Sequence, residues 1–143
     1  MQAQMLAPAA VLVLWSLFML LWVAGTRLPA MRRMGGLGAA KPGGRGQDLE
    51  TVLPPEINWK SHNYTHLMEQ PTLFYAVSAI IAIVGAGRID VRLAWGYVVV
   101  RIVHSMWQAT INRVPVRFLL FLLSTMLLMA LAVRAAVATL SAS

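Results

Sequence analysis

Two histidines and a glutamate stand at the beginning of a long apolar run. His62, His66 and Glu69 lie at positions i, i+4 and i+7, a spacing that places them on one face of an α-helix. Together with His104 they are side chains of the types that bind metal ions. Glu69 is the only acidic residue inside an apolar run, whereas helical di-iron sites need several carboxylates. We therefore predict no metal at these residues.

A second polar stripe lies on a later apolar run. Arg101, His104 and Gln108 are spaced i, i+3 and i+7, again one helix face. A charged side chain deep in a bilayer costs roughly 2.5 to 3.5 kcal/mol on insertion scales, so it needs a partner or a polar cavity. Glu69 is the natural partner of Arg101, and we expect the two stripes to face each other.

Arginines at the ends of two further apolar runs complete a basic set. Arg27 follows the first run, and Arg117 lies at the start of the last run. With Arg101 they can bind carboxylates through paired hydrogen bonds, and Glu69 can accept from an ammonium group. This combination favours a small zwitterionic ligand with a net negative charge. The alternative is that Arg27 and Arg117 contact lipid headgroups, as most arginines at helix ends do.

Four apolar runs must position these side chains. The chain has 143 residues, of which 59% are hydrophobic and 12% charged, well above the roughly 45 to 50% apolar content of soluble domains. A membrane span needs about 20 apolar residues, and segments of about 5–25, 64–87, 92–112 and 116–140 meet that length. We predict an all-α integral membrane four-helix bundle in one domain, residues 1–143. The first run lacks a basic n-region, which disfavours a signal peptide.

The basic residues orient these spans. The loop of about 27–61 contains six of the 12 basic residues, and the third and fourth runs are separated by Arg113 and Arg117. The positive-inside rule places both of these loops in the cytoplasm and both termini outside. With no targeting motif, a bacterial inner membrane is the simplest location. The basic groups form no clustered face with interleaved aromatics, which excludes a nucleic-acid partner, and thiol chemistry must come from a ligand because the chain has no cysteine.

Pro71 lies two residues after Glu69. Inside a helix, proline removes one backbone hydrogen bond and strains the carbonyl four residues earlier, which is that of Leu67. A kink here either opens the mouth of the bundle and frees this carbonyl for a polar group, or serves packing alone. Both interpretations stay open.

The segments HLMEQPTLFYA and RIVHSMWQATINRVPVRF resemble the MAPEG family, the membrane-associated proteins of eicosanoid and glutathione metabolism, and in particular its bacterial-type members. The resemblance implies a homotrimer that binds glutathione between subunits near the cytoplasmic face. It also implies glutathione contacts for Glu69, for the pair Arg101 and His104, and for Arg27, and it makes Arg117 the catalytic residue that stabilises the glutathione thiolate.

Three positions depart from the family pattern. His62 replaces an arginine, His66 replaces an asparagine, and Gln108 replaces a tyrosine. We expect a glutathione transferase or peroxidase that acts on lipophilic electrophiles or lipids, with altered or weak activity. The alternative is a non-enzymatic protein with a structural, lipid-binding or partner-binding role. The predicted glutathione-binding residues are Arg27, His62, His66, Glu69, Arg101, His104 and Gln108.

Overall fold

Four long helices make up most of the chain. The structure is a computed structural model that describes residues 1–141. The helices are α1 (Gln2–Arg32), α2 (Pro55–Val84), α3 (Arg88–Thr110) and α4 (Val114–Ser141), with short 3₁₀ helices at Leu37–Ala39 and Gly46–Leu49. No β-strand occurs among the described residues. The prediction of an all-α fold is confirmed.

Within residues 1–141, three helices are long and apolar enough to cross a membrane, namely α1, α2 and α4. Helix α3 has 23 residues and is about 35 Å long at 1.5 Å per residue. Its role as a fourth span stays a prediction. Several of its polar side chains, namely Asp90, Arg101, His104 and Gln108, are buried within the protein. Burial of this kind is how ionisable groups are accommodated inside a membrane.

The helices extend past the predicted apolar runs. Helix α2 begins at Pro55, about nine residues before the predicted span, and α1 continues to Arg32. Proline is well suited to the first turn of a helix because its φ is already helical and its missing N–H would have had no partner there. Arg27 and His62 therefore lie in helices, and the predicted loop of 27–61 is shortened to the residues between Arg32 and Pro55.

Short connections set the packing order. Gly85, Ala86 and Gly87 join α2 to α3, with Gly85 at a φ of 130° that favours glycine. Residues 111–113 join α3 to α4, and connections this short make antiparallel neighbours. Helices α1 and α4 each pack against both α2 and α3. In the core, Phe74 stacks on Tyr97 with ring centroids 4.4 Å apart.

An ion pair fastens α3 to α4 at the end of the molecule away from the polar stripes. The Asp90 carboxylate pairs with the Arg134 guanidinium and also accepts a hydrogen bond from the Gly87 backbone N–H at 2.8 Å. The hydrogen bond from Arg134, together with the one from the backbone, lowers the pKa of Asp90 against the opposing effect of burial. Asp90 thus caps α3 and ties it to α4.

Candidate functional site

A cavity between α2, α3 and α4 collects three of the predicted site residues. Its volume is about 180 Å³. The centroids of the His66 and His104 rings lie 6.1 Å apart, and the Phe121 ring meets both, at 6.4 Å and 6.3 Å. The cavity is lined by His66, His104, Val114, Arg117, Phe118 and Phe121. The polar faces of α2 and α3 therefore meet the start of α4 here.

The turn between α3 and α4 holds Arg117 in place. Asn112 has a φ of 53°, a left-handed conformation that asparagine tolerates better than most residues. Its backbone N–H donates to the Trp107 carbonyl at 2.8 Å, which closes α3 in the manner of a C-terminal cap. Its side-chain oxygen accepts from Arg117 Nη1 at 2.7 Å. The guanidinium at the cavity is thus fixed by the turn that starts α4.

The expected pairing of Glu69 with Arg101 does not form. The Glu69 side chain is 61% exposed, and Glu69 Oε2 lies 3.4 Å from His66 Nδ1. Arg101 instead donates from Nη2 to the backbone carbonyl of His66 at 3.0 Å. The three-residue step from His66 to Glu69 is a rotation of about 60° at 3.6 residues per turn, which keeps the two side chains in contact but leaves the carboxylate at the outer surface.

Arg101 is buried more deeply than the sequence suggested. It has no exposed surface, and among residues 1–141 its Nε and Nη1 have no hydrogen-bond partner. The carbonyl that it contacts belongs to His66 and not to Leu67, and α2 continues as a helix through Pro71. Buried polar groups without partners are costly. The free N–H groups of Arg101 can therefore still donate hydrogen bonds to a ligand, a water or an acidic group.

Gln108 lies one turn beyond His104 and faces the protein interior. It is 2% exposed, and within the described part of the chain its Oε1 has no hydrogen-bond partner. Neither Gln108 nor Arg101 lines the cavity. Gln108 therefore belongs to the interior behind the histidines and does not contact the cavity.

Arg27 and His62 contact the loop and do not line the cavity. Arg27 Nη2 donates to Asn58 Oδ1 at 3.3 Å, and the Asn58 amide donates to the carbonyls of Glu50 and Leu53. His62 Nε2 lies 2.9 Å from Glu50 Oε1. Arg27 and His62 therefore do not join the predicted site residues at the cavity. Arg27 links α1 to α2, and His62 links α2 to the loop.

Gln70 links three helices and was not identified from the sequence. Its Oε1 accepts from Tyr97 OH at 3.3 Å and Ser124 Oγ at 3.4 Å, and its Nε2 donates to Thr125 Oγ1 at 2.8 Å. Thr125 Oγ1 also donates to the Phe121 carbonyl at 2.8 Å. Ser124 Oγ shares its single proton between Gln70 Oε1 and the same carbonyl. The network therefore reaches the helical turn that carries a wall of the cavity. The feature of the sequence that could have indicated this network is the amide of Gln70 inside an apolar run.

A second network crosses α1, α2 and α3. Ser105 Oγ accepts from Trp15 Nε1 at 2.9 Å and from Asn63 Nδ2 at 2.8 Å. Asn63 begins the sequon Asn63-Tyr64-Thr65, but its side chain is fully buried, which is incompatible with a glycan on the folded protein. Among residues 1–141, no three histidine, cysteine, aspartate or glutamate side chains are grouped as metal ligands would be.

The comparisons with known proteins agree with this architecture. A family model described as MAPEG family matches residues 5–137, which include every candidate site residue from Arg27 to Arg117. A search of curated proteins gave no match, and a search of solved structures gave none either. The matched segment covers nearly the whole chain and all four helices. The chain therefore belongs to the MAPEG family, the membrane proteins of glutathione and eicosanoid metabolism.

Proposed function

We propose that this protein binds glutathione and conjugates it to lipophilic electrophiles that enter from the bilayer. The observation that carries the proposal is the cavity, which joins a fixed guanidinium and two imidazoles to the apolar side chains Val114, Phe118 and Phe121. Polar groups on one wall and aromatic groups on another suit a polar thiol and an apolar acceptor. Phe118 is 63% exposed on the outer face of α4, so the apolar wall is continuous with the lipid-facing surface.

Arg117 has the principal chemical role in this proposal. A guanidinium beside a thiol favours the thiolate, which is the nucleophilic form. His66 and His104 offer ring nitrogens to the glutathione carboxylates, and the exposed Glu69 can accept from the ammonium group at the rim. Conjugation forms a bond from sulfur to carbon, releases the leaving group with its electron pair, and passes the thiol proton to solvent.

The size of the cavity supports a homotrimer. At about 180 Å³ it is smaller than the roughly 300 to 1,000 Å³ of typical ligand pockets. A single protomer therefore holds only part of a tripeptide, and a neighbouring subunit would supply the rest. Exposed apolar side chains on α4, such as Leu119 and Met126, leave room for such a contact. In this proposal the site faces the cytoplasm of a bacterial inner membrane, and both termini lie outside.

The second candidate function is non-enzymatic. Glu69 points outward, and Arg101 and Gln108 are sealed in the interior. With Arg27 and His62 at the loop, five of the seven predicted glutathione-binding residues do not line the cavity. This separation favours a structural, lipid-binding or partner-binding role for the same fold. It predicts the same fold stability with or without glutathione.

Purified protein in detergent separates the two candidates. We expect millimolar glutathione to raise the melting temperature and to support conjugation of chlorodinitrobenzene. Arg117→Gln should lose most of the conjugation and shift the rate profile to higher pH, since more alkali is then needed to form the thiolate. Arg113→Gln removes the same charge from an exposed position in the adjacent turn and is the matched control.

Three outcomes are informative. Wild-type activity that survives in Arg113→Gln and is lost in Arg117→Gln supports the transferase. Stabilisation by glutathione without conjugation supports glutathione binding but contradicts the transferase reaction. No response of the wild type to glutathione in either measurement refutes the proposal. A reporter fused after Ser143 tests the orientation, and a cytoplasmic signal would overturn it.

A further inference from the structure

The connection between α1 and α2 encloses a second cavity. Its volume is about 750 Å³, about four times that of the cavity of about 180 Å³ at His66 and Arg117. The segment of 33–54 folds back against the end of α1 through its two 3₁₀ helices. This segment is the central part of the loop predicted at about 27–61, and it forms one wall of the pocket.

Specific hydrogen bonds hold this wall in place. The Asn58 amide binds the carbonyls of Glu50 and Leu53, and Arg27 binds the Asn58 oxygen. A turn closes with the Gly44 N–H donating to the Lys41 carbonyl at 2.9 Å. These bonds tie the segment to α1 and α2, so the pocket exists before any ligand arrives.

The lining of the pocket combines apolar and cationic side chains. Met31, Leu37, Leu49 and Val52 supply the apolar part, and Lys41 and Arg45 supply the charge. Among residues 1–141, neither Lys41 nor Arg45 forms an ion pair.

The acidic residue on the lining is already engaged. Asp48 Oδ2 accepts from the backbone N–H of Arg45 at 2.8 Å. Arg32 and Arg33 follow at the end of α1 and add positive charge beside the pocket. The local charge is therefore cationic and lacks a partner within the described chain.

The position of the pocket indicates its occupant. It lies at the end of the first apolar helix, on the side that the positive-inside rule predicts to be cytoplasmic, and lipid phosphates would lie near the end of a membrane span. Leu37 and Val52 are 67% and 56% exposed, as expected of side chains that enter the membrane interface. A phosphate bearing a glycerol and acyl chains has the same division into an anionic and an apolar part.

We propose that this pocket binds the headgroup of an anionic phospholipid. Lys41 and Arg45 contact the phosphate, and Leu37, Leu49 and Val52 contact the glycerol and the first acyl carbons. Free phosphate shares the anionic chemistry, but it would leave the apolar side of the pocket unused. The site is separate from the histidine cavity, and the proposal does not depend on glutathione.

The test is a titration of the purified, detergent-solubilised protein with dioleoylphosphatidylglycerol, followed by melting temperature. Dioleoylphosphatidylcholine and soluble glycerol phosphate are the comparison ligands. We expect stabilisation by phosphatidylglycerol alone. The double variant Lys41→Gln/Arg45→Gln should need about thirtyfold more of it, which corresponds to about 1 kcal/mol for each cation at about 1.4 kcal/mol per tenfold change.

Arg88→Gln/Arg92→Gln removes the same charge at the other end of the molecule, where both residues are exposed. It should titrate as the wild type does. Leu37→Asn should weaken the effect of phosphatidylglycerol without changing the charge. An equal response to glycerol phosphate would overturn the lipid as occupant. Equal losses in the two double variants, or no response of the wild type to phosphatidylglycerol, would overturn the site itself.

Discussion

Replacing Gln70 by leucine should loosen the packing of α2 against both α3 and α4. The amide makes three hydrogen bonds to other helices, with Tyr97, Ser124 and Thr125. Hydrogen bonds between membrane helices average about 0.6 kcal/mol each, with a maximum of about 1.7 kcal/mol. The three together contribute about 2 kcal/mol, and Gln70→Leu should lower the free energy of unfolding by this amount.

A double-mutant cycle of Gln70→Leu and Tyr97→Phe measures the hydrogen bond between these two side chains. Tyr97→Phe alone removes one bond and should cost about 0.6 kcal/mol, because Gln70 keeps its two bonds to α4. In Gln70→Leu the Tyr97 hydroxyl is left buried without its acceptor. Adding Tyr97→Phe to that variant removes the unpaired hydroxyl, so the double variant should be no less stable than Gln70→Leu alone. The expected coupling energy is about 0.6 to 1.7 kcal/mol.

Equilibrium unfolding in mixed detergent and dodecyl sulfate micelles, followed by circular dichroism, measures these differences. Gln4→Leu is the matched control, since it makes the same change at an exposed position of α1 and should leave stability nearly unchanged. Strictly additive losses, within about 0.3 kcal/mol, would refute the shared network. So would a Gln70→Leu protein as stable as the control.

Three further predictions concern the connections between helices. Asn112→Ala should lower the melting temperature more than Asn112→Gly. Both variants lose the hydrogen bond to Arg117, but alanine in a left-handed conformation costs about 1 kcal/mol more. Thermal unfolding of the two variants measures this difference. Ser105→Ala leaves two N–H donors of other helices without their acceptor and should cost about 1 to 3 kcal/mol in the same micelle unfolding assay. The hydrogen bond from Arg134 lowers the pKa of Asp90 in the folded state. The ionised Asp90 therefore stabilises the fold above about pH 4, and this stabilisation is lost as the pH falls through the folded-state pKa of Asp90. Melting temperatures between about pH 6 and about pH 3 should therefore fall more in the wild type than in Asp90→Asn; equal slopes would contradict the assignment.

The number and type of the helices could be predicted from the sequence because a membrane imposes a length. About 20 apolar residues are needed to cross it, and four such runs correspond to the four helices. The helix ends were less predictable. An apolar run ends where the membrane ends, whereas the hydrogen-bonded helix continues beyond it. The start of α2 at Pro55 was signalled by the proline pair, whose fixed φ suits a first turn.

Periodicity predicted which residues share a face but not how neighbouring helices are rotated. Glu69 and His66 lie three residues apart, yet only the imidazole reaches the cavity. Arg101 lies opposite α2 as expected, but it contacts the His66 carbonyl and not the Glu69 side chain. A pairing across helices depends on their rotation and separation, and a pattern along one chain contains neither.

The hydrogen-bond network around Gln70 was also not predicted from the sequence, because it contains no charged residue. Gln70 follows Glu69 directly, about 100° farther around the helix, and so points toward α3 and α4. Asn63 and Ser105 were likewise passed over because neither ionises. Neutral amides and hydroxyls are nevertheless the natural partners for one another between membrane helices, where no water competes for their hydrogen bonds.

The burial of Arg101 gives it a different role from that of Arg117. Its guanidinium holds the backbone of α2 at His66, whose ring lines the cavity together with His104 and Arg117. A ligand in this cavity therefore meets Arg117 directly and Arg101 only through the position that it gives to His66. His66 places its imidazole against Phe121, and, within the described residues, Gln108 leaves an unpaired oxygen in the interior behind it. The predicted site residues that line the cavity, His66, His104 and Arg117, are of types suited to thiolate and carboxylate contacts. Gln108 lies in the interior, where it affects packing and hydration and not ligand contact.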